Sequence, residues 1–194
     1  GFGLATARRL KESGVQRLSL AGRSGGVPEG EAARLEAIPA AGARAEIIAA
    51  DVSDEGAMRS LLSRIASEGA LEGVVHAATA MDDARLAALD AGRIARVLRP
   101  KLDGATLLDR LTRRLAPRHF VLYSSLSACI GTPGQAAYAA ANAALEGLAE
   151  RRRAEGLPAL CIGWGPISDV GYLARETGLR DGLAEVMAGG MMTS

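Results

Sequence analysis

Aromatic side chains are scarce in this chain, with two Phe, one Trp and three Tyr making up 3% of its 194 residues. Proteins that grip single-stranded nucleic acid stack bases on such rings, and those that bind duplexes carry surplus positive charge. At a formal net charge of +1 the chain offers neither. Cysteine is as thin: Cys129 and Cys161 have no paired-ligand spacing, so neither a metal centre nor a disulfide framework is supported, and both read as small core fillers. No apolar run approaches the roughly 20 residues that cross a bilayer, and no basic stretch leads into an apolar one as in an export signal. A cytoplasmic setting is expected, without membrane, nucleic acid or metal.

Two polar residue types are as scarce. Asn142 is the single asparagine, and Lys11 and Lys101 are the two lysines among 23 basic residues. Asparagine is a poor helix-interior residue because its amide competes for backbone hydrogen bonds, yet Asn142 sits within the alanine-rich run YAAAN, four residues after Tyr138. Residues four apart share a helix face, which places a phenol beside a carboxamide. Lys101 carries an amine where arginine is the rule, and a guanidinium cannot replace an amine that tunes a neighbour's proton.

A hydrophobic content of 48% is enough for a buried core, and the chain reads as one domain over 1–194. Short apolar runs predict strands at Arg17–Ala21, Arg44–Ala50, Gly73–His76, His119–Tyr123 and Ala159–Gly163. Helical periodicity fills the intervals, at Leu4–Ser13, Glu29–Ala37, Asp54–Ser67, Ile94–Leu98, Leu102–Leu115 and Gln135–Glu155. Gly14 and Gly156 stop the first and last of these, and Pro158 reinforces the second stop. Strands alternating with helices predict a doubly wound parallel sheet with helices on both faces.

Polar residues cluster just past these strands: Arg23 and Ser24 after the first, Asp51 after the second, His76 to Ala78 at the third, Ser124 and Ser125 at the fourth, and Trp164 to Pro166 at the fifth. The carboxyl edge of such a sheet is where ligands bind. Gly1-Phe2-Gly3 opens the first helix, and a glycine pair at a helix start lets a pyrophosphate approach backbone amides.

In GFGLATARRL, LAGRSG, ADVSD, HAATAMDD, RPKLDGATLLD, FVLYSSLSACIGTPGQAAYAAAN and CIGWGPISDVGYLAR, the chain resembles the ketoreductase domain of a type I polyketide synthase, a branch of the short-chain dehydrogenases. Tyr138 follows Ser125 by 13 residues, Asn142 follows Tyr138 by 4, and Lys101 precedes Ser125 by 24, as in that family. The resemblance implies a Rossmann-like fold that here lacks its first strand and its last helix, as a fragment of a larger multidomain chain. Loss of a central strand leaves neighbouring backbone groups unpaired, so the segment alone is expected to bind cofactor poorly.

The same resemblance implies roles. Tyr138 donates a proton to the reduced ketone, Ser125 donates a hydrogen bond to the same oxygen, Lys101 favours phenolate and holds the nicotinamide ribose, and Asn142 orients the lysine and a relay water. Asn142 stands where most short-chain dehydrogenases carry that lysine. The cofactor implied is NADPH, with Gly1, Phe2 and Gly3 at its pyrophosphate and Arg23 and Ser24 at its 2′-phosphate. Asp51 and Val52 fall to its adenine, with His76, Ala77, Ala78 and Pro166 along the cleft. A surface arginine at 23, a helix-capping role for the segment after Asp51 and a packed strand-end histidine at 76 are the plainer readings.

Met81-Asp82-Asp83, Pro133 and Ile130 resemble the B-type branch, which implies a D-configured hydroxyl, with Trp164 also near the substrate. Met81 in place of leucine and Ala137 in place of asparagine depart from that pattern, and Asp82 or Asp83 can equally cap the next helix. The substrate implied is a β-ketoacyl chain on the phosphopantetheine arm of an acyl carrier protein, with other domains of the same synthase as partners. Arg151 to Arg153 offers a docking patch roughly 20 Å along the helix from Tyr138, although basic residues suit a helix C-terminus in any case. A redox-silent structural or epimerising domain, and a free-standing carrier-protein reductase, are the alternatives.

Overall fold

The computed structural model describes residues 1–26 and 44–167. They form two compact units, one from 1–20, 24–26, 44–48 and 164–167 and the other from 21–23 and 49–163. The helix expected at Glu29–Ala37 and the end of the CIGWGPISDVGYLAR motif lie outside the described residues.

The first unit holds helix α1 (Phe2–Glu12) and most of strands β1 (Arg17–Gly22) and β2 (Arg44–Ala49). Arg44 N–H bonds to Gln16 C=O and Ala50 N–H to Gly22 C=O, a constant offset that marks a parallel pair. The glycine pair opens a helix as expected, with Gly1 at the N-cap and Gly3 in the first turn: Gly1 C=O accepts from the Leu4 and Ala5 amides.

The second unit carries α2 (Glu55–Glu68), β3 (Gly73–His76), α3 (Ala91–Leu98), α4 (Gly104–Thr112), β4 (His119–Ser125), α5 (Ser127–Ile130), α6 (Ala136–Ala154) and β5 (Leu160–Trp164, whose last residue belongs to the first unit). Its sheet runs β3-β4-β5, with β3 and β4 parallel in the register Val74↔Phe120 and His76↔Leu122. Both strand runs, β1-β2 and β3-β4-β5, occur in the doubly wound order 3-2-1-4-5-6 when counting starts at its second strand.

Alternation along β4 buries Phe120, Leu122 and Ser124 on one face and leaves Ser125 on the other. Helix α6 packs on β4 and buries Ala141, Leu145, Leu148 and Ala149, residues that also favour the helix, with Ala141 clustered with Val97 of α3. Gly156 ends this helix at φ 75°, a left-handed conformation from which its N–H reaches Arg153 C=O and that of Leu157 reaches Arg152 C=O.

Three local departures from the sequence reading have physical causes. Helix α3 starts at Ala91 rather than Ile94, because Asp90 caps it by accepting from the Arg93 amide at 2.8 Å. The helix expected from Leu102 is preceded by a wider π-helical turn, Arg99–Asp103, and ends in a 3₁₀ turn, Arg113–Leu115. Cys129 is exposed and Cys161 half-buried, so they are not the core fillers expected; Cys129 lies on α5, a short helix that periodicity over one turn cannot signal.

Candidate active site

The second unit brings Lys101, Ser125, Tyr138 and Asn142 together from the π turn, the end of β4 and the first half of α6. Lys101 is 3% exposed, with its Nζ donating to Asn142 Oδ1 at 2.7 Å and to Tyr123 C=O at 2.7 Å. It also sits over the Tyr138 ring, 5.3 Å from the centroid. Asn142 is fully buried and spends its other end on Tyr138 C=O at 2.8 Å, so an amide that weakens a helix is here satisfied at both ends. The Tyr123 carbonyl is the partner that sequence could not announce, because a backbone acceptor leaves no residue signature.

Burial lowers the Lys101 ammonium from its ordinary value to about 8. Burial also pushes the Tyr138 phenol above its usual range, while hydrogen bonds with the Asn142 and Ser125 side chains pull it back and Asp83 adds to the rise. The expected acidifying effect of Lys101 does not enter this balance; desolvation leads it, and the phenol keeps its proton at neutral pH. Ser125 Oγ accepts from the Ser127 amide at 3.2 Å, which fixes the hydroxyl beside the phenol.

His76 is 3% exposed at the end of β3, and its Nε2 meets Lys101 C=O at 2.9 Å. Burial holds its pKa down to about 4, so the ring is neutral. Asp51 accepts from the amide and hydroxyl of Ser53 on one carboxylate oxygen, which lowers its pKa, with Arg23 and Arg99 adding to the effect against the opposing pull of burial. Helix capping falls instead to Asp54, whose carboxylate accepts from the Ala57 amide at 2.9 Å. Arg23 is exposed after β1, Val52 packs close to Gly104, and Ala77 and Ala78 follow His76, half-buried. In the first unit, Phe2 stacks on Trp164 with ring centroids 6.5 Å apart; Gly1, Gly3, Ser24 and Pro166 belong to that unit.

Neither Asp82 nor Asp83 caps the turn at Leu86. Asp82 takes Arg93 and Arg96, each at 2.7 Å, and Asp83 accepts from Gln135 Nε2 at 2.9 Å. The Ala84 amide bonds to Gly134 C=O at 2.8 Å, so the Met81–Ala84 segment is tied both to α3 and to the turn before Tyr138 that carries Pro133. Arginines three apart on a helix face are a readable signal for a shared acidic partner. Arg151 to Arg153 does not form one basic patch: Arg152 is 1% exposed, ion-paired with Asp109 and stacked 3.8 Å from the Phe120 centroid.

Against this geometry stand the comparisons with known proteins. The sequence profile described as "KR domain" matches residues 1–169. The chain is 42% identical over 164 residues to mycoketide-CoA synthase of Mycobacterium tuberculosis, covering 84% of this chain and 4% of that protein. Polyketide synthase GfsA of Streptomyces halstedii is 44% identical over 170 residues, 88% of this chain and 2% of that protein. The chain thus spans a small fraction of these curated relatives. A solved structure of A-type ketoreductases from a modular polyketide synthase superposes with a TM-score of 0.87 at 39% identity, covering 95% of this chain and 39% of that one. Parallel strands with interleaved helices, the buried lysine–asparagine pair and these matches agree: the chain belongs to the KR domain family, the ketoreductases of polyketide synthases, which are nicotinamide-dependent oxidoreductases of the short-chain dehydrogenase type.

Proposed function

We propose that this chain is a catalytic domain that reduces the β-keto group of an acyl thioester carried by an acyl carrier protein, using NADPH. The observation that carries the reading is the convergence of Lys101, Asn142, Tyr138 and Ser125 in one hydrogen-bonded group, with Lys101 and Asn142 buried and Tyr138 and Ser125 half-buried. Reduced nicotinamide, with its ribose on Lys101 and its adenine on Asp51, would supply a hydride to the carbonyl carbon. Tyr138 then gives its proton to the oxygen as negative charge develops there, and Ser125 donates a second hydrogen bond to that oxygen. Such a donor is worth about 2.7 to 4 kcal/mol in comparable sites. The phenolate left on Tyr138 is stabilised by the Lys101 ammonium beside its ring.

The residues fit the cofactor. An ammonium has three N–H donors, and Lys101 gives two to Tyr123 and Asn142, which leaves one for a ribose hydroxyl. Asp51 spends one carboxylate oxygen on Ser53, and the other can accept from an adenine amine. Arg23, exposed after β1, suits a 2′-phosphate where an acidic residue would select NADH. Gly1, Phe2 and Gly3 at the start of α1, Ser24, Val52, Ala77, Ala78 and Pro166 complete the cofactor set we propose.

Met81-Asp82-Asp83, with Pro133 and Ile130, supports a B-type outcome and a D-configured hydroxyl, and Trp164 falls near the substrate. Likeness to an A-type structure does not oppose this, because a TM-score averages the whole fold, whereas the B-type reading rests on a few residues. The multidomain relatives support other domains of a synthase as partners. The test is NADPH oxidation with S-acetoacetyl-N-acetylcysteamine by the full-length protein, with chiral analysis of the product. A rate well above that of Tyr138→Phe and a D-hydroxy product are expected. A rate equal to that control would establish a redox-silent domain, and an L-hydroxy product would overturn the B-type reading.

A further inference from the structure

Lys101 lies in the π-helical turn Arg99–Asp103, where backbone hydrogen bonds are displaced from the α pattern: the Gly104 amide reaches both Arg99 C=O and Lys101 C=O. A side chain from outside the turn joins the same Lys101 carbonyl. The His76 ring reaches Lys101 C=O at 2.9 Å from the carboxyl end of β3, 25 residues earlier. A carbonyl oxygen only accepts, so Nε2 carries the proton. The ring is held in turn by packing: Gly104, the first residue of α4, leaves room for it, and a Cβ there would stand 3.3 Å from His76 Cε1 and 2.7 Å from Val52 Cγ1.

We infer that His76 is a positioning residue that sets the placement of the Lys101 ammonium by donating Nε2–H to the Lys101 carbonyl across the π turn. This rests on the reading of Lys101 as part of the reaction machinery. His76 therefore has no need to touch cofactor or substrate. Its side chain fixes where the lysine stem leaves the backbone, and the Tyr123 carbonyl and Asn142 carboxamide fix where the stem ends. A sheet anchored at β3 and β4, which are hydrogen-bonded neighbours, thus holds both ends of one side chain.

The test compares His76→Gln, whose amide nitrogen can occupy the Nε2 position, with His76→Leu and with His76→Asn, whose amide is one bond too short. Steady-state kinetics of NADPH oxidation with S-acetoacetyl-N-acetylcysteamine are measured across pH in the full-length protein. Expected are a loss of at least tenfold in kcat for His76→Leu with KM for the thioester within twofold, a displaced alkaline limb, and recovery to within threefold of wild type in His76→Gln. Should His76→Leu fail to fold, the Asn and Gln variants carry the same comparison. Equal losses in Gln and Asn, or an unmoved alkaline limb in the impaired variants, overturn the inference in favour of a packing role alone. Lys101→Met separates the two levels: if it keeps wild-type kcat, the reading of Lys101 fails; if it is inactive while His76→Leu or His76→Asn is not impaired, only the role of His76 fails.

Discussion

Lys101 Nζ and Asn142 Oδ1 meet at 2.7 Å across 41 residues of chain, joining a turn and a helix through two of the rarest residue types in the sequence. The bond is buried, and one end of it is charged. Hydrogen bonds to charged groups contribute about 1.5–3 kcal/mol, and a buried donor left unmatched costs a similar amount. Asn142→Ala is expected to lower stability by about that much in urea melts and to slow NADPH oxidation. Wild-type stability in Asn142→Ala would mean that the pair is not held as described.

The pH dependence follows from the same burial. Lys101 loses its proton near 8 in the folded chain and near its ordinary value of 10.5 when unfolded. The folded state therefore disfavours the ammonium, a cost on the order of 3 kcal/mol below pH 8. Between about pH 8 and 10.5 the unfolded chain holds more protons, so this group's contribution makes stability rise with pH over that window. Activity moves the opposite way, because the neutral amine no longer stabilises phenolate. We expect kcat/KM, which reports the free enzyme, to fall with an alkaline limb near pH 8. Asn142→Asp, which places a carboxylate beside the amine, should move that limb upward. A flat profile to pH 10 would refute the assignment.

A second buried pair stabilises the fold away from the chemistry. Arg152 is 1% exposed, bonds to Asp109 and to Pro158 C=O, and stacks on Phe120, while Asp109 also takes Arg113 and Arg151. Removing one partner of such a pair leaves an uncompensated charge and costs about 3–5 kcal/mol. Asp109→Ala is expected to lose that much in urea melts while kcat, measured where the variant is still folded, stays close to wild type. A loss under 1 kcal/mol would show that water reaches Arg152.

This pair also marks the limit of what the sequence discloses. Read in order, Arg151, Arg152 and Arg153 are three alike basic residues at a helix end, and nothing local says that the middle one turns inward. That depends on Asp109 and Phe120, 43 and 32 residues earlier. The four side chains of the candidate site were legible because the chain repeats the spacings of the family it resembles and because Asn142 and Lys101 are rare, and the strands because short apolar runs between turn residues keep their period wherever they pack. What stayed hidden is backbone and partner choice: the Tyr123 carbonyl, the π turn, and the ties from Asp82 to Arg93 and Arg96.

Gly104 gives the sharpest check on the packing that surrounds Lys101. Its φ of −60° is ordinary helix, so the glycine is not there for conformation. By propensity alone, Gly104→Ala would gain nearly 1 kcal/mol at a helix position. The added Cβ, however, would lie 2.7 and 3.2 Å from the two Val52 methyl carbons as well as 3.3 Å from the His76 ring. Overpacking of this kind costs typically 1–3 kcal/mol. The two effects oppose, and contacts this close at a buried position decide the sign: we expect net destabilisation. Val52→Ala in the same chain removes the nearer clash and should restore much of the loss, leaving the alanine's helix gain in view. Equilibrium unfolding of the two single variants and the double variant closes the cycle. Additive losses would mean that Val52 and position 104 do not share space, and the close packing inferred around His76 would fall with them.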